Sequence, residues 1–163
     1  MTIDSFELID FYKLTEEDKN LILDWRNHKD IRQWMHTSEI LSRENHLNFI
    51  ESLKKSKDKR YFLVLDNQKK IGVIYFTSIS KTTNSSEFGL YANPKIQGLG
   101  AKLMNIICKY AFEELKNTSL IAEVFSSNVR AISLYSKYKF KEFKREKTNH
   151  QEVIYMELRN EIR

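Results

Sequence analysis

The run Gln97-Gly98-Leu99-Gly100-Ala101-Lys102 follows a strand-like segment, residues 86–91, and opens the longest helical pattern in the chain. A helix that starts beside the end of a strand exposes backbone N–H groups with no intrahelical partner, and a phosphate can accept several of them at once. Gly98 removes the side chain that would hold such a ligand off the backbone, and Gly100 permits close approach in the first turn. Lys102 or Lys95 can add a charge-assisted contact. The two glycines equally suit a tight turn before an ordinary surface helix, so the pattern by itself leaves both readings open. Two other phosphate sites are excluded. The dinucleotide fingerprint Gly-x-Gly-x-x-Gly is absent, and a triphosphate loop requires Gly-Lys-Ser or Gly-Lys-Thr where this chain reads Gly-Ala-Lys.

Two further groups of residues have chemical potential. Asn128, Ala131 and Tyr135 are spaced three and four apart, so one helix face carries an amide, a small gap and a phenol. Taken alone, Tyr135 suits a packed aromatic as well as a hydroxyl donor. The second group is Trp25-Arg26-Asn27-His28 with Trp34 and Met35, a polar and aromatic cluster at a break between helical segments. Arginine grips phosphate in a forked geometry, and His28 can donate to or accept from a phosphate, a sugar hydroxyl or an amine. Four histidines and one cysteine show no metal-ligand spacing, so no metal is expected.

The elements that must position these groups follow from periodicity. Residues 6–14 suit an opening strand, and Thr15 caps a helix with Glu16, Glu17 and Asp18 in its first turn. That helix breaks near Arg26, Asn27 and His28; a short apolar set at Ile31, Trp34 and Met35 follows, and Ser42 starts another helix. Residues 61–65 and 71–76 form a hairpin across a turn longer than the two-residue type. Residues 86–91 form a strand ended by Asn93-Pro94, and residues 98–116 a helix. A strand at 120–125, a helix from Asn128 to Lys137, and strands at 140–144 and 153–158 complete the chain. This order predicts one α/β domain over residues 1–163, with helices covering a mixed sheet.

Composition narrows the function. The chain has 163 residues, 41% hydrophobic and 12% aromatic, enough for one core without disulfides. No apolar run approaches the roughly 20 residues of a membrane span. Asp4 and Glu7 near the start do not suit a signal peptide, and the single cysteine, Cys108, beside Ile107 in a helix, reads as core; both point to the cytoplasm. The formal charge of +5 is scattered, with its densest group, Lys54 to Arg60, interrupted by Asp58. Basic and aromatic residues do not interleave on a definable strand pair, so neither a nucleic-acid platform nor a membrane partner is expected. An edge strand could pair with a second copy, which leaves a homodimer open.

Three stretches, Glu87-Phe88-Gly89-Leu90-Tyr91, Gln97-Gly98-Leu99-Gly100-Ala101-Lys102-Leu103-Met104, and Asn128 to Tyr135 followed by Tyr138-Lys139-Phe140, resemble the core of the GCN5-related N-acetyltransferase (GNAT) superfamily. The resemblance spans residues 6–158 and implies that family's acyl-CoA fold, a mostly antiparallel seven-stranded sheet flanked by about four helices. It implies acetyl-CoA as cosubstrate, with its pyrophosphate on Gln97, Gly98, Leu99, Gly100, Ala101 and Lys102. The family motif begins with arginine or glutamine, a position that Lys95 fills here. By the same resemblance Tyr135 is the general acid for the departing thiolate, and Asn128 contacts the pantetheine arm; Tyr138 is a competing hydroxyl. Glu87, which strand alternation puts on one side with Gly89 and Tyr91, is the acidic candidate for taking the amine's proton. Direct attack in a ternary complex needs neither Ser126 nor Cys108 as nucleophile.

The Trp25-Arg26-Asn27-His28 stretch, a His46-Leu47-Asn48-Phe49-Ile50 helix and the strand at residues 61–64 look specifically like the pseudaminic acid branch of the superfamily, although proline usually stands where this chain has Lys29. The branch implies transfer to the 4-amino group of UDP-4-amino-4,6-dideoxy-N-acetyl-beta-L-altrosamine, a sugar nucleotide on the route to the acid that decorates flagellin. Arg26, Asn27, His28, Trp34, Met35 and Tyr91 are then the acceptor-binding residues, with Lys81 a further contact. The alternatives are a protein N-terminal (ribosomal-protein alanine) acetyltransferase, which shares the core, and a non-catalytic acyl-CoA-binding or RNA-associated module, in which Tyr135 would merely pack.

Overall fold

The computed structural model describes residues 1–148 and 150–160. Eight strands form one sheet: β1 (Thr2–Ile3), β2 (Phe6–Asp10), β3 (Arg60–Asp66), β4 (Lys69–Ser80), β5 (Ser85–Ala92), β6 (Ser119–Phe125), β7 (Lys141–Lys147) and β8 (Glu152–Arg159). Their spatial order is β1-β2-β3-β4-β5-β6-β8-β7. Every neighbouring pair is antiparallel except β5 with β6, which the chain joins through a helical crossover. The expected seven strands become eight because Thr2–Ile3 folds back on β2. Among the described residues the α-helices are α1 (Glu16–Asn27), α2 (Lys29–Arg32), α3 (Arg43–Ser52), α4 (Gly100–Lys109) and α5 (Val129–Lys137), five where about four were expected.

Caps explain several boundaries. Thr15 accepts from the Asp18 N–H, Ser42 from Asn45 and Asn128 from Ala131, which fixes the starts of α1, α3 and α5. Three expected boundaries are corrected. The opening strand stops at Asp10, where Phe11 turns inward to the core and residues 11–13 coil into a short 3-10 turn. The β3–β4 connection is a two-residue turn after all: Asn67 and Gln68 both take positive φ, the backbone that matches strand twist, and Asp66 pairs with Lys69. The helix expected over residues 98–116 starts at Gly100, because Gly98 lies at φ +76°, and its last turn over Tyr110–Glu114 widens to π geometry.

Alternation along each strand sends residues to two faces. One face, with Phe62, Ile74, Phe76, Phe88, Leu120 and Ala122, packs under Leu103, Met104, Ile106 and Ile107 of α4 and Tyr135 of α5. The other, with Leu63, Val73 and Tyr91, packs under Ile22 and Trp25 of α1 and Ile50 of α3. Among the described residues no helix is long and apolar enough to cross a membrane.

Candidate active site

The parallel ladder between β5 and β6 runs only from Ser85–Ser119 to Phe88–Ala122, although β5 continues to Ala92 and β6 to Phe125. The two strands part there, and the sheet opens a wedge at its middle. At the end of β5 the chain turns through Asn93, whose side-chain oxygen accepts from the Lys95 N–H (3.0 Å), and enters α4. The first i→i−4 bond of that helix runs from Leu103 N–H to the Leu99 carbonyl (3.0 Å), so the N–H groups of Gly100, Ala101 and Lys102 precede it. No side chain caps them. The site that would have held a side chain on Gly98 opens on empty space. This arrangement fits a pyrophosphate.

Gly100 serves a different purpose from the one its spacing suggests. A Cβ there would meet Leu134 at 3.0 Å, so its small size lets α5 approach the start of α4 rather than admitting a ligand. Tyr138 completes that brace, its hydroxyl donating to the Ala101 carbonyl (2.8 Å); it is therefore a strut between the helices. The Lys102 ammonium pairs with Asp66 (3.2 Å), which ties the cradle to the end of β3, while the Lys95 and Gln97 side chains are exposed.

Tyr135 is buried beside the last residue of the β5–β6 ladder, edge-on to Phe88 (5.2 Å between centroids) and tilted against Phe140 (5.9 Å). Its hydroxyl makes no hydrogen bond among the described residues, and burial pushes its pKa well above the ordinary phenol value, so it stays protonated at neutral pH. Asn128 spends its carbonyl oxygen on the α5 cap (3.2 Å), which leaves the amide hydrogens to a ligand. The Cys108 thiol, half-buried in α4, is pushed up to about 11 by burial and stays protonated.

The opposite face carries the acceptor-side residues. Glu87 is half-buried, and its carboxyl is raised above the usual range by burial first and by the neighbouring charge of Glu123 second. Glu123 is a residue the sequence reasoning missed. It lies two positions beyond Ile121, the register partner of Glu87, so it shares that face; strand alternation offers the signal, but only once the parallel pairing is known. His36 reaches Glu123 from the loop after α2 (3.4 Å). Tyr75, also missed, lies across Gly89: a Cβ on Gly89 would collide with its ring. Tyr75 stacks on Tyr61 (4.7 Å, 4°) and tilts toward Tyr91 (6.4 Å), and Phe49 and Phe11 close the row against Tyr61.

The residues of the α1–α2 break divide by task. Arg26 is half-buried at the end of α1; its positive charge opposes the rise that burial gives the Tyr61, Tyr75 and Tyr91 phenols, and its Nη1 is buried without a hydrogen-bond partner among the described residues. Asn27 is committed elsewhere: its amide donates to the Leu41 carbonyl (2.9 Å) and accepts from the Leu41 N–H (2.7 Å), clipping the loop of residues 33–42 to α1. His28 caps α2, its Nδ1 accepting from the Asp30 N–H (3.1 Å), which leaves Nε2 outward. Trp34 is 38% exposed and Met35 half-buried on the same loop; Lys81 is exposed in the β4–β5 turn.

The family model described as "Acetyltransferase (GNAT) domain" matches residues 9–141. An acetyltransferase PseH from Campylobacter jejuni is 47% identical over 134 residues, 82% of this chain and 83% of that protein. The crystal structure of the C. jejuni N-acetyltransferase PseH in complex with acetyl coenzyme A superposes with a TM-score of 0.79 at 39% identity, covering 94% of this chain and 98% of that one. A spermidine N-acetyltransferase from Vibrio cholerae, in complex with CoA and spermine, reaches a TM-score of 0.84 at 23% identity, covering 94% and 95%; that likeness is one of fold. The chain belongs to the GNAT acetyltransferase family, enzymes that take their acetyl group from acetyl-CoA.

Proposed function

We propose that this chain acetylates the 4-amino group of UDP-4-amino-4,6-dideoxy-N-acetyl-beta-L-altrosamine in pseudaminic acid biosynthesis, in the cytoplasm. The observation that carries the reading is the wedge between β5 and β6, with a backbone cradle at one side and a carboxylate pair with a tyrosine row at the other. The 47% identity to PseH over 82% of this chain supports the choice of acceptor. A single cysteine with no disulfide partner suits a reducing compartment.

Acetyl-CoA supplies an activated acyl thioester. The N–H groups of Gly98 to Lys102 hold its pyrophosphate, and the Asn128 amide steadies the arm. Glu87, with its basicity raised by burial, takes a proton from the acceptor ammonium, which leaves the nitrogen lone pair free for direct attack on the thioester carbonyl. Tyr135, held protonated, gives its proton to the departing sulfur. Both carboxylates favour an acceptor that arrives as an ammonium. Trp34 and Met35 offer apolar surface to the sugar or the base, and Arg26, His28 and Tyr91 are the further acceptor-side residues. Asn27 acts through Leu41, by holding the loop that carries Trp34 and Met35.

The test is release of free thiol from acetyl-CoA by the purified protein. The UDP-4-amino sugar should drive it, and an N-terminal alanine peptide should drive it far less. The reverse preference overturns the sugar assignment in favour of a protein N-terminal acetyltransferase.

A further inference from the structure

The densest positive group of the sequence, Lys54 to Arg60, takes no part in either side of the active site. Lys54, Lys59 and Arg60 line a cavity of about 300 Å³ at the far end of β3. β2 ends at Asp10, opposite Phe62, so Arg60 and Tyr61 have a strand neighbour only in β4, and the cavity lies along the margin that β2 leaves uncovered. The last residue of β3, Asp66, pairs with Lys102 beside the cradle; Arg60 stands six residues of strand away, on the order of 20 Å. The cavity is therefore separate from the acetyl-CoA site.

Its charges are unbalanced. Lys54 pairs with Glu51 (2.9 Å), whereas Lys59 and Arg60, among the described residues, pair with no carboxylate. The Arg60 Nη1 donates instead to the hydroxyl of buried Tyr110 (2.9 Å), which fixes the guanidinium and leaves its Nε and Nη2 hydrogens to a ligand. Asp10 is the one carboxylate in the cavity wall, and it forms no ion pair among the described residues. A fixed guanidinium fork beside an ammonium suits a phosphoryl group, and a lone carboxylate, which accepts and cannot donate, suits a hydroxyl. Tyr12, 40% exposed, and Tyr61 add ring surface for an apolar sugar face.

From this lining we infer that the cavity binds a small sugar phosphate, with phosphoryl oxygens on Arg60 and Lys59 and a ring hydroxyl on Asp10, and that the occupant steadies the acceptor face through Tyr61. Inorganic phosphate alone would leave most of the cavity unfilled. Tyr61 is the shared wall: it lines the cavity and stacks on Tyr75 (4.7 Å, 4°), whose ring lies across Gly89. A ligand packed behind Tyr61 restricts this stack before the acceptor arrives, so less freedom is lost when the acceptor binds. The site does not depend on which amine the enzyme acetylates.

Calorimetric titration of glucose 1-phosphate, inorganic phosphate and glucose into the CoA-saturated protein tests the site without any acetyl transfer, so failure of the sugar-nucleotide reading leaves its outcome intact. Glucose 1-phosphate should bind at least about tenfold more tightly than either fragment. Arg60→Gln should weaken it by about tenfold or more and Arg60→Lys by less, while Asp10→Asn should erase its advantage over inorganic phosphate and leave phosphate binding equal or tighter. Unchanged acetyl-CoA affinity and Tm in each variant establish intact folding. Equal binding by wild type and Arg60→Gln, an undiminished advantage in Asp10→Asn, or no binding of glucose 1-phosphate to wild type overturns the site. With the amine that the enzyme acetylates, saturating glucose 1-phosphate should lower acceptor KM by at least about threefold in wild type and leave it unchanged in Arg60→Gln. A raised or unchanged KM in wild type overturns the link through Tyr61.

Discussion

The cradle at the start of α4 is made of backbone from one continuous segment, whereas the acceptor face is made of side chains from α1, the loop after α2, α3, and strands β3 to β6. The first needs only that Gly98 take a positive φ and that the helix begin uncapped at Gly100. The second needs the stacking of Tyr61 on Tyr75, the Asn27 clip on Leu41, and the meeting of Glu87 with Glu123. A common donor can be held by backbone that any family member shares, while acceptor choice is written in side chains that substitution can alter without unmaking the sheet.

Tyr135 stands on the seam between the two regions, and changing it should give the largest effect. Tyr135→Phe keeps the packing against Phe88 and Phe140 and removes only the proton donor. Its kcat should fall by about 100-fold or more, with acetyl-CoA affinity and acceptor KM close to wild type. Steady-state kinetics with calorimetric acetyl-CoA binding reads all three. An unchanged kcat would reduce Tyr135 to a packed aromatic.

Two glycines separate the regions directly. Gly98→Ala forces a Cβ into the left-handed region and into the open mouth of the cradle, so acetyl-CoA affinity should fall by about tenfold while acceptor KM holds. Gly89→Ala collides with the Tyr75 ring and must push it off the sheet, so acceptor KM should rise by about tenfold or more while acetyl-CoA affinity holds. If both variants change both constants together, the two sides are not independent.

The same contrast explains what the sequence made legible. Gly98 and the strand before it are adjacent in the chain, so local turn and helix chemistry revealed the cradle; Asn128 likewise announced itself as a cap. The spacing of Gly100 points to ligand approach because its contact with Leu134, thirty-four residues on, has no local trace. Glu123 and Tyr75 were missed for that reason too. Each joins the site through strand pairing, and a tyrosine laid across a glycine is visible only once β4 and β5 are in register. The two-residue turn at Asn67-Gln68 escaped because neither residue is glycine.

The smallest expected effect concerns how the acceptor side is anchored. His46 is buried between α3 and α1, where its Nε2–H donates to the Lys19 carbonyl (2.9 Å). Burial lowers its pKa below 6.5, the Lys19 carbonyl opposes that shift, and the positive charges of Lys19, Arg26 and Arg43 add to it. In the unfolded chain the imidazole titrates near 6.5, so its contribution to stability is complete above that pH. As pH falls below 6.5 the unfolded state takes up a proton that the folded state refuses, and stability declines until the folded pKa is passed. Thermal unfolding measured between pH 7.5 and 5.5 should therefore show a drop of a few degrees in Tm for wild type, and a smaller drop for His46→Gln, whose amide can keep the Lys19 bond without titrating. Because α1 also carries Arg26, the wild-type loss should loosen the acceptor face before the cradle. Hydrogen exchange at pH 5.5 should then rise in α1 and α3 while α4 stays protected; uniform loss across the sheet would instead make the two sides one cooperative unit.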